Sequence, residues 1–560
     1  MSRTPTQIPA PAGPVRPWWN APSAVWLGGL IIVLAGGLAY ANSLTGPLVF
    51  DDSGSISDNP TIRDLWALVK VLRPPANETV AGRPLVNLSL AINYALGGTA
   101  VLGYHATNLA IHLLAGLTLF GLVRRTLLRP ALAAKFADAA LPLALTVALL
   151  WTLHPLQTEA VTYVVQRAES LMGLCYLLTL YAFVRSLEGA GRRFRTLAVL
   201  ACLAGMACKE VMVSAPLLVL FYDRTFGAGS FRVAWRERRG FYLALGATWL
   251  LLAGLVVSAG NRADTAGFAT AVSAWDYART QAVAVVHYLA LVGWPHPLVF
   301  DYGTGVVTQA GQVIPSAAAL SVLAAGTVWA LVRRPALGFC GLWFFAILAP
   351  SSSVVPVATQ TMAEHRMYLP LAALSVLWSV GLYHWMGGRS LPLLLVLAAG
   401  LGALTTRRNA DYTSALALWS DTVRHEPGNA RAHNNLGVAL SEAGRPAEAF
   451  AEFQRTLDLQ DTYVEGQLNY GNALLKAGRT AEAISHYEVA RRLDPRKAET
   501  ANNLGYARLQ SGRPAEAVAD FEAALALRPD YAEADSNLGV ALTQTGRAAE
   551  ARPGSRPHGT

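Results

Sequence analysis

Adjacent aspartates, Asp51 and Asp52, follow the first apolar segment of this sequence in the motif FDDSGSISDNPTI. Two neighbouring carboxylates repel each other, so one can be raised in pKa and serve as a general base, or both can share a cation. The alternative is that the pair only begins a solvated loop. The proton-transfer chemistry admits a divalent metal without requiring one, and the residues alone do not identify such a metal.

Three further clusters place ionisable residues beside or inside apolar segments, where charges are expensive and are functional hypotheses by default. They are His154, Glu159 and Arg167 in HPLQTEAVTYVVQRAES, Lys209 and Glu210 in CKEVMVSAP, and Glu364, His365, Arg366 and Tyr368 in EHRMYLP. An arginine fork such as that of Arg366 matches a pair of phosphate oxygens. The alternatives are a buried ion pair between Arg167 and Glu169 and an interfacial anchor at Arg366.

The composition indicates which elements must position these clusters. The chain has 560 residues, 53% hydrophobic and 14% charged, with a mean hydropathy of +0.34, whereas soluble domains carry about 25% charged residues. Residues 1–406 hold 27 Lys+Arg and 16 Asp+Glu, and residues 407–560 hold 18 and 20. The basic excess lies among apolar segments, which argues against a nucleic-acid partner. The four cysteines form no CxxC pair and so indicate neither a disulfide framework nor a zinc site.

The distribution of basic residues predicts a topology. Between residues 24 and 405, about 11 apolar runs are candidates to span a membrane, and arginine and lysine concentrate on alternate connections. By the positive-inside rule these connections are cytoplasmic, provided that the run 277–293 lies at the outer interface instead of crossing. We expect a multi-pass inner (cytoplasmic) membrane protein with a cytoplasmic Pro-rich tail at 1–23. The four clusters, the loop 44–104 and everything after the last span are then extracytoplasmic.

The C-terminal part is periodic. Glycines recur every 34 residues at Gly437, Gly471, Gly505 and Gly539, and a second series recurs at Gly444, Gly478, Gly512 and Gly546. Small residues where two helices touch, with a glycine turn between them, are typical of tetratricopeptide (TPR) repeats. The pattern predicts a TPR domain over 407–550 and a disordered tail at 551–560.

An asparagine stands two residues before each glycine of the first series, at Asn435, Asn469, Asn503 and Asn537. In a TPR superhelix this position faces the concave groove, where an amide can pair with the backbone of an extended peptide. The series resembles the asparagine ladder of the nucleocytoplasmic O-GlcNAc transferase and predicts a groove for a polypeptide acceptor. The alternative is a generic protein-binding scaffold.

The combination of motifs resembles a known family. The FDD…DNP loop, RPL at 83–85, HPLQTEAV…QRAE, CKE, EHRMYLP and the trailing repeats are similar to the transmembrane-and-TPR-containing O-mannosyltransferases and their bacterial relatives, which are GT-C class glycosyltransferases. The likeness covers residues 24–550. It implies an all-α fold, with a GT-C-like polytopic membrane helix bundle of about 11 spans at 24–406, followed by a TPR α-solenoid.

The resemblance also implies an activity. Such enzymes transfer a sugar, here mannose, from a polyprenyl-phosphate sugar to an acceptor hydroxyl at the outer face, and an acidic residue in the first outer loop is catalytic. That position matches Asp51 and Asp52; we favour Asp51 as the base, with Asp52 orienting the acceptor or a cation. We assign the donor phosphate or substrate to Arg83, His154, Glu159, Arg167, Lys209, Glu210, Glu364, His365, Arg366 and Tyr368.

The expected partners are the lipid-linked donor, a polypeptide bound by the repeats, and the bilayer. The sequence contains no nucleotide-sugar or Walker-type loop, which disfavours a soluble nucleotide-sugar donor. Two alternatives stay open. One is a membrane scaffold whose repeats assemble an envelope complex, and the other is a lipid-linked glycan transferase with a carbohydrate acceptor.

Overall fold

The computed structural model describes residues 22–75, 78–258, 270 and 272–551, and within these residues the chain is helical with no β-strand. The expected tails at 1–23 and 551–560 lie almost wholly outside the described residues. The chain divides into two compact units. The first contains residues up to 298 and 306–413, and the second contains residues 299–305 and those from 414 onward.

The first unit is built from sixteen described α-helices joined by short turns. They are α1 Pro22–Ala39, α2 Leu68–Val71, α3 Pro84–Gly97, α4 Val101–Leu127, α5 Pro130–Phe136, α6 Ala140–Thr152, α7 Thr158–Thr162, α8 Arg167–Arg185, α9 Gly191–Met206, α10 Ala215–Tyr222, α11 Phe231–Ser258, α12 Ala274–Gly293, α13 Ala310–Arg333, α14 Pro335–Leu348, α15 Pro370–Met386 and α16 Ser390–Asp411. The described parts of the apolar runs between residues 24 and 405 fall on these helices and their flanking turns.

Several helices are long and apolar enough to cross a membrane. Among the described residues there are six such stretches: Val101–Leu127, Pro130–Thr152, Val164–Gly189, Phe231–Ser258, Ala310–Arg333 and Pro370–Asp411. The last contains both α15 and α16, and α14 is apolar but shorter. About 20 apolar residues are needed for one straight crossing. The multi-pass character is therefore supported, while the number of crossings stays a prediction.

Helices α4, α6 and α8 form the centre of this unit, where small residues allow close approach, as is usual where lipid gives helices no hydrophobic drive to associate. A Cβ atom added at Gly173 of α8 would lie 2.4 Å from the ring of Tyr368. That ring is held in turn because its hydroxyl lies 3.0 Å from His112 Nδ1, while its backbone oxygen accepts a 2.7 Å bond from Trp151. The packing fixes the start of α15 against α4 and α6.

The second unit contains the helix pairs of the predicted repeats. They are α17 Ala415–His425, α18 Ala430–Glu442, α19 Pro446–Leu459, α20 Val464–Lys476, α21 Thr480–Leu493, α22 Ala498–Gln510, α23 Pro514–Leu527 and α24 Ala532–Gln544. Three of the repeat glycines meet an aromatic ring of the next helix: Gly437 meets Phe453, Gly471 meets Tyr487, and Gly505 meets Phe521. The predicted TPR solenoid is confirmed.

A segment distant in sequence also belongs to the second unit. The carboxylate of Asp301 accepts two bonds from the guanidinium of Arg431, at 2.7 and 2.5 Å, and its backbone oxygen accepts a 2.8 Å bond from Asn429. Such a bidentate pair is among the stronger protein ion pairs. Residues 299–305, which follow α12, are thereby held on the first repeat.

Candidate functional site

Asp52 is fully buried and has a structural task. Its two carboxylate oxygens accept bonds from the backbone N–H groups of Val165, at 2.7 Å, and Val49, at 3.1 Å. Burial raises the pKa of Asp52 to about 7, although the two N–H bonds act in the opposite direction. Asp52 therefore ties the loop after α1 to the turn before α8, and both of its oxygens are used in doing so.

Asp51, by contrast, is only half-buried and lies beside other acids. Its backbone N–H donates a 3.0 Å bond to the hydroxyl of Tyr163. Burial raises the pKa of Glu78, and the nearby carboxylates of Asp51 and Asp58 raise it further. Of the two adjacent aspartates, Asp51 is the more exposed.

Glu159 and His365 form a buried pair, although 206 residues separate them in sequence. The two oxygens of Glu159 lie 2.9 Å from the backbone nitrogen of His365 and 2.7 Å from its Nδ1. Burial raises the pKa of Glu159 to about 7. Burial also holds the pKa of His365 well below its usual value, and nearby Lys209 lowers it further. The imidazole is thus neutral, and the pair joins α7 to the turn before α15.

Arg366 is buried among uncharged acceptors. Its Nη1 donates to Tyr277 Oη at 3.1 Å, to Thr361 O at 3.2 Å and to Gln281 Oε1 at 3.3 Å, and its Nη2 donates to Gln360 O. The residue is 5% exposed. Because these partners are neutral, they satisfy the guanidinium donors without cancelling the positive charge.

Arg167 has the same character at the start of α8. It is completely buried, and it donates to Asn108 at 2.6 Å, to Asn93 at 2.6 Å, to Ser89 at 3.2 Å and to the backbone oxygen of Tyr104 at 2.9 Å. These partners lie on α3 and α4. Arg167 is therefore a second buried cation held by neutral dipoles, and it fixes three helices at this end of the unit.

Lys209 and Arg83 are cations that retain some exposure. Lys209 Nζ lies 2.5 Å from a carboxylate oxygen of Glu169, and the lysine side chain is 10% exposed. Arg83 is 12% exposed and lies 3.8 Å from Glu210, whose side chain is 42% exposed. Both cations act electrostatically on His365, so the CKE, RPL and EHR motifs meet in one place.

His154 and Tyr368 have packing roles. His154 Nδ1 accepts a 3.2 Å bond from the backbone N–H of Leu156, and its Nε2 lies 3.2 Å from the backbone oxygen of Val292. Burial lowers the pKa of His154 to about 4, so the ring is neutral. Tyr368 belongs to the aromatic core described above. Glu364 is buried where its turn, Glu364–Met367, begins.

One end of the first unit therefore gathers ionisable groups from four segments that are far apart in sequence: the loop after α1, the turns between α6 and α8, the turn between α9 and α10, and the turn before α15. A half-buried carboxylate can accept a proton there, and fixed cations in a water-poor setting stabilise an anionic leaving group. Within the described ranges, no three His, Cys, Asp or Glu side chains are arranged to hold a metal ion.

The four predicted groove asparagines are partly exposed, and three of them bond to asparagines of neighbouring repeats. Three side-chain amides donate across repeat boundaries: Asn469 to Asn434 at 3.1 Å, Asn503 to Asn472 at 2.9 Å, and Asn537 to Asn502 at 3.1 Å. The ladder thus holds adjacent repeats together. A bound peptide backbone has to use the remaining hydrogen-bond donors and acceptors of these amides or replace the bonds between repeats.

Comparison with known proteins supports both the predicted repeats and the resemblance to O-mannosyltransferases. Residues 402–464 and 502–554 match the tetratricopeptide repeat family. The protein O-mannosyl-transferase Tmtc3 of Drosophila melanogaster is 28% identical over 80% of this chain and 57% of its own length. The protein O-mannosyl-transferase F38B6.6 of Caenorhabditis elegans is 25% identical over 78% of this chain and 63% of its own length. This chain is a relative of the protein O-mannosyl-transferases.

The chain spans about three fifths of the length of these O-mannosyl-transferases. The mouse O-mannosyl-transferase TMTC4 is also similar, with 25% identity over 76% of this chain and 65% of its own length. Among solved structures, a crystal structure of MamA covers 26% of this chain and 79% of its own, with 22% identity and a TM-score of 0.24.

Sequence reasoning missed several residues that build the site. Tyr163 bonds Asp51, and Asn93 and Asn108 bond Arg167. A signal was present for the two asparagines, because polar side chains within apolar helices are costly unless they are paired. Nothing in the spacing identified their partner, since Asn108 and Arg167 are 59 residues apart.

Proposed function

We propose that this chain is a membrane glycosyltransferase that transfers mannose from a polyprenyl-phosphate sugar to Ser or Thr hydroxyls of polypeptides. One observation carries the proposal: Asp51 bonds Tyr163, close to Glu159 in sequence, and the partly exposed cations Lys209 and Arg83 act on His365, the partner of Glu159. The names of the relatives support the sugar and the polypeptide acceptor. A lipid-linked donor fits a site assembled from turns between membrane helices.

The proposed step is a substitution at the anomeric carbon. The acceptor oxygen forms a bond to that carbon, the bond from the carbon to the phosphate oxygen breaks, and polyprenyl phosphate leaves with the electron pair. The hydroxyl proton passes to Asp51, the half-buried member of the acidic pair. Asp52 contributes by holding the loop, because its oxygens are bonded to the backbone.

Two layers of positive charge favour departure of the phosphate. Lys209 and Arg83 are exposed enough to contact the phosphate oxygens, whereas Arg167 and Arg366 are enclosed by neutral partners. The enclosed guanidiniums therefore act through their electric field, and such preorganised charge needs no reorganisation during the reaction. Each carboxylate near the contact cations, Glu169 and Glu210, must then share its cation with the donor phosphate.

The repeats supply the polypeptide acceptor in this proposal. The four groove asparagines, Asn435, Asn469, Asn503 and Asn537, are partly exposed and evenly spaced along α18, α20, α22 and α24. A side-chain amide both donates and accepts, so a row of them suits extended backbone without demanding a sequence. The site and the repeats are extracytoplasmic in this scheme, with the arginine-rich connections in the cytoplasm.

The test is a matrix of donors and acceptors with the purified full chain in nanodiscs. Labelled mannose is offered as polyprenyl-phosphate mannose or as a nucleotide sugar, and the acceptor is an unstructured Ser/Thr peptide or an oligosaccharide. The proposal expects transfer only from the lipid-linked donor and only to the peptide. Transfer to the oligosaccharide instead would identify a lipid-linked glycan transferase, and no transfer in any combination would favour the scaffold.

A further inference from the structure

A large apolar cavity lies between the helices of the first unit. Its volume is about 390 Å³, and α4, α5, α8, α10, α14 and α15 all contribute to its walls. The site end of α4 is marked by Asn108, which binds Arg167, and the first wall residue on α4 is Leu119. At 1.5 Å per residue these positions are about 16 Å apart along the helix. On α4 the cavity therefore begins well beyond the candidate site, whereas on α15 its first wall residue, Ala372, lies six residues after Arg366.

The walls of this cavity are almost entirely carbon. They include Leu122, Phe226, Leu337, Phe339 and Val376, with Val380 further along α15. The two hydroxyls on the walls, those of Thr126 and Tyr222, lie 2.7 Å apart and satisfy each other. A cavity without polar partners does not hold ordered water. The chemistry of the walls thus selects a hydrocarbon.

The shape of the cavity suits an extended hydrocarbon chain. Its wall on α15 extends from Ala372 to His384. Those 12 steps correspond to about 18 Å at 1.5 Å per residue. Since α4, α8 and α15 lie within stretches apolar enough to span a membrane, the long dimension runs roughly along the direction in which lipid chains extend.

The rim of the cavity is basic. His384 lies on the wall itself, Lys135 precedes the wall residue Phe136, and Arg334 stands two residues before the wall residue Ala336; all three basic side chains are exposed. Arg129 donates a 3.1 Å bond to the backbone oxygen of Phe226, another wall residue. An exposed basic rim at the end of a hydrocarbon cavity attracts an anionic headgroup.

We propose that this cavity binds one acyl chain of an anionic phospholipid, whose headgroup phosphate lies on the basic rim at the arginine-rich end of the bundle. The apolar walls select the acyl chain and the basic rim selects the negatively charged headgroup, so both parts of the phospholipid are recognised. The inference does not depend on the transfer reaction.

The experiment measures retention of added phospholipid by the purified full chain, using native mass spectrometry. The probes are dioleoyl phosphatidylglycerol and the zwitterionic dioleoyl phosphatidylcholine of the same chain length. We expect the phosphatidylglycerol adduct to be retained preferentially. Combined Lys135→Gln and Arg334→Gln should weaken it by roughly fivefold per charge, the effect of about 1 kcal/mol each. The matched control is Arg192→Gln with Arg193→Gln, because these exposed arginines lie on α9, which contributes no wall.

The cavity itself is tested by filling it. Val376→Trp and, separately, Val380→Trp should abolish the preferential adduct while the size-exclusion profile of the chain is kept. Equal retention of the two lipids by the unmodified chain would overturn the proposal, as would an unchanged adduct in the exposed rim variant, which is not expected to disturb folding. Displacement of phosphatidylglycerol by a lower concentration of polyprenyl phosphate would assign the cavity to an isoprenoid tail instead.

Discussion

Replacing Asp52 by asparagine should produce a stability defect that depends on pH. The buried carboxylate accepts two backbone N–H bonds, from Val165 and Val49. Asparagine has one oxygen and one NH₂ group, and the NH₂ group cannot accept. One backbone N–H is therefore left without its partner, at a cost of about 1–3 kcal/mol.

The pH dependence follows from the raised pKa. Burial moves the pKa of Asp52 from 3.8 to about 7. Between these values the folded chain keeps a proton that the unfolded chain has released, so the free energy of unfolding of the unmodified chain falls as pH rises. A pKa difference of about three corresponds to on the order of 4 kcal/mol. Asparagine does not titrate, so the free energy of unfolding of the variant lacks this pH dependence. The loss of unfolding free energy relative to the unmodified chain is therefore largest near pH 5 and smallest near pH 8.

The assay is thermal unfolding of the purified chain in detergent at pH 5 and pH 8. Asp64→Asn is the matched control, because Asp64 is an exposed acid of the same loop that accepts a bond from the N–H of Trp66. The control should unfold close to the unmodified chain at both pH values. A deficit for Asp52→Asn that is equal at the two pH values, or larger at pH 8, would refute the assigned role of burial.

Two further substitutions test the packing and the repeats. Gly173→Ala should lower the unfolding temperature, because the added Cβ would lie 2.4 Å from the ring of Tyr368, whereas Gly37→Ala has nothing within 4 Å and should be neutral; thermal unfolding of both variants checks this. The combined alanine variant of Asn435, Asn469 and Asn503 should raise KM for a protein acceptor but not for a short peptide. It should also destabilise the repeats by on the order of 1 kcal/mol per lost bond, measurable as thermal unfolding of the full chain; an unchanged protein-acceptor KM would leave the repeats as a scaffold.

The sequence predicted the helices well because the spacing and composition of residues along the chain mark them directly. The 34-residue glycine series predicted the repeat helices, and the structure shows why, since each helix-contact glycine that meets an aromatic ring, as Gly437 meets Phe453, admits no side chain there. The apolar runs likewise predicted the membrane helices. Both signals lie in the order and spacing of residue types along the chain, so they are recognised without knowing how the helices pack.

The pairings within the site could not be predicted, because they depend on which turns meet after the helices pack. Spacing alone suggested Glu169 as a partner for Arg167, but Arg167 binds Asn108 and Asn93, and Glu169 binds Lys209. Similarly, nothing local distinguishes Asp51 from Asp52. Only the position of Val165, over a hundred residues away, gives Asp52 its structural bond.

The central claim is that the Asp51 carboxylate removes the acceptor proton during mannosyl transfer. The most direct measurement is kcat for transfer from polyprenyl-phosphate mannose to a Ser/Thr peptide, comparing the unmodified chain with Asp51→Asn, Asp52→Asn and the control Asp64→Asn in nanodiscs. The claim predicts that Asp51→Asn loses about 10²–10⁴-fold in kcat, the usual contribution of a positioned general base, with donor binding retained. Turnover of Asp51→Asn near that of the unmodified chain would contradict it.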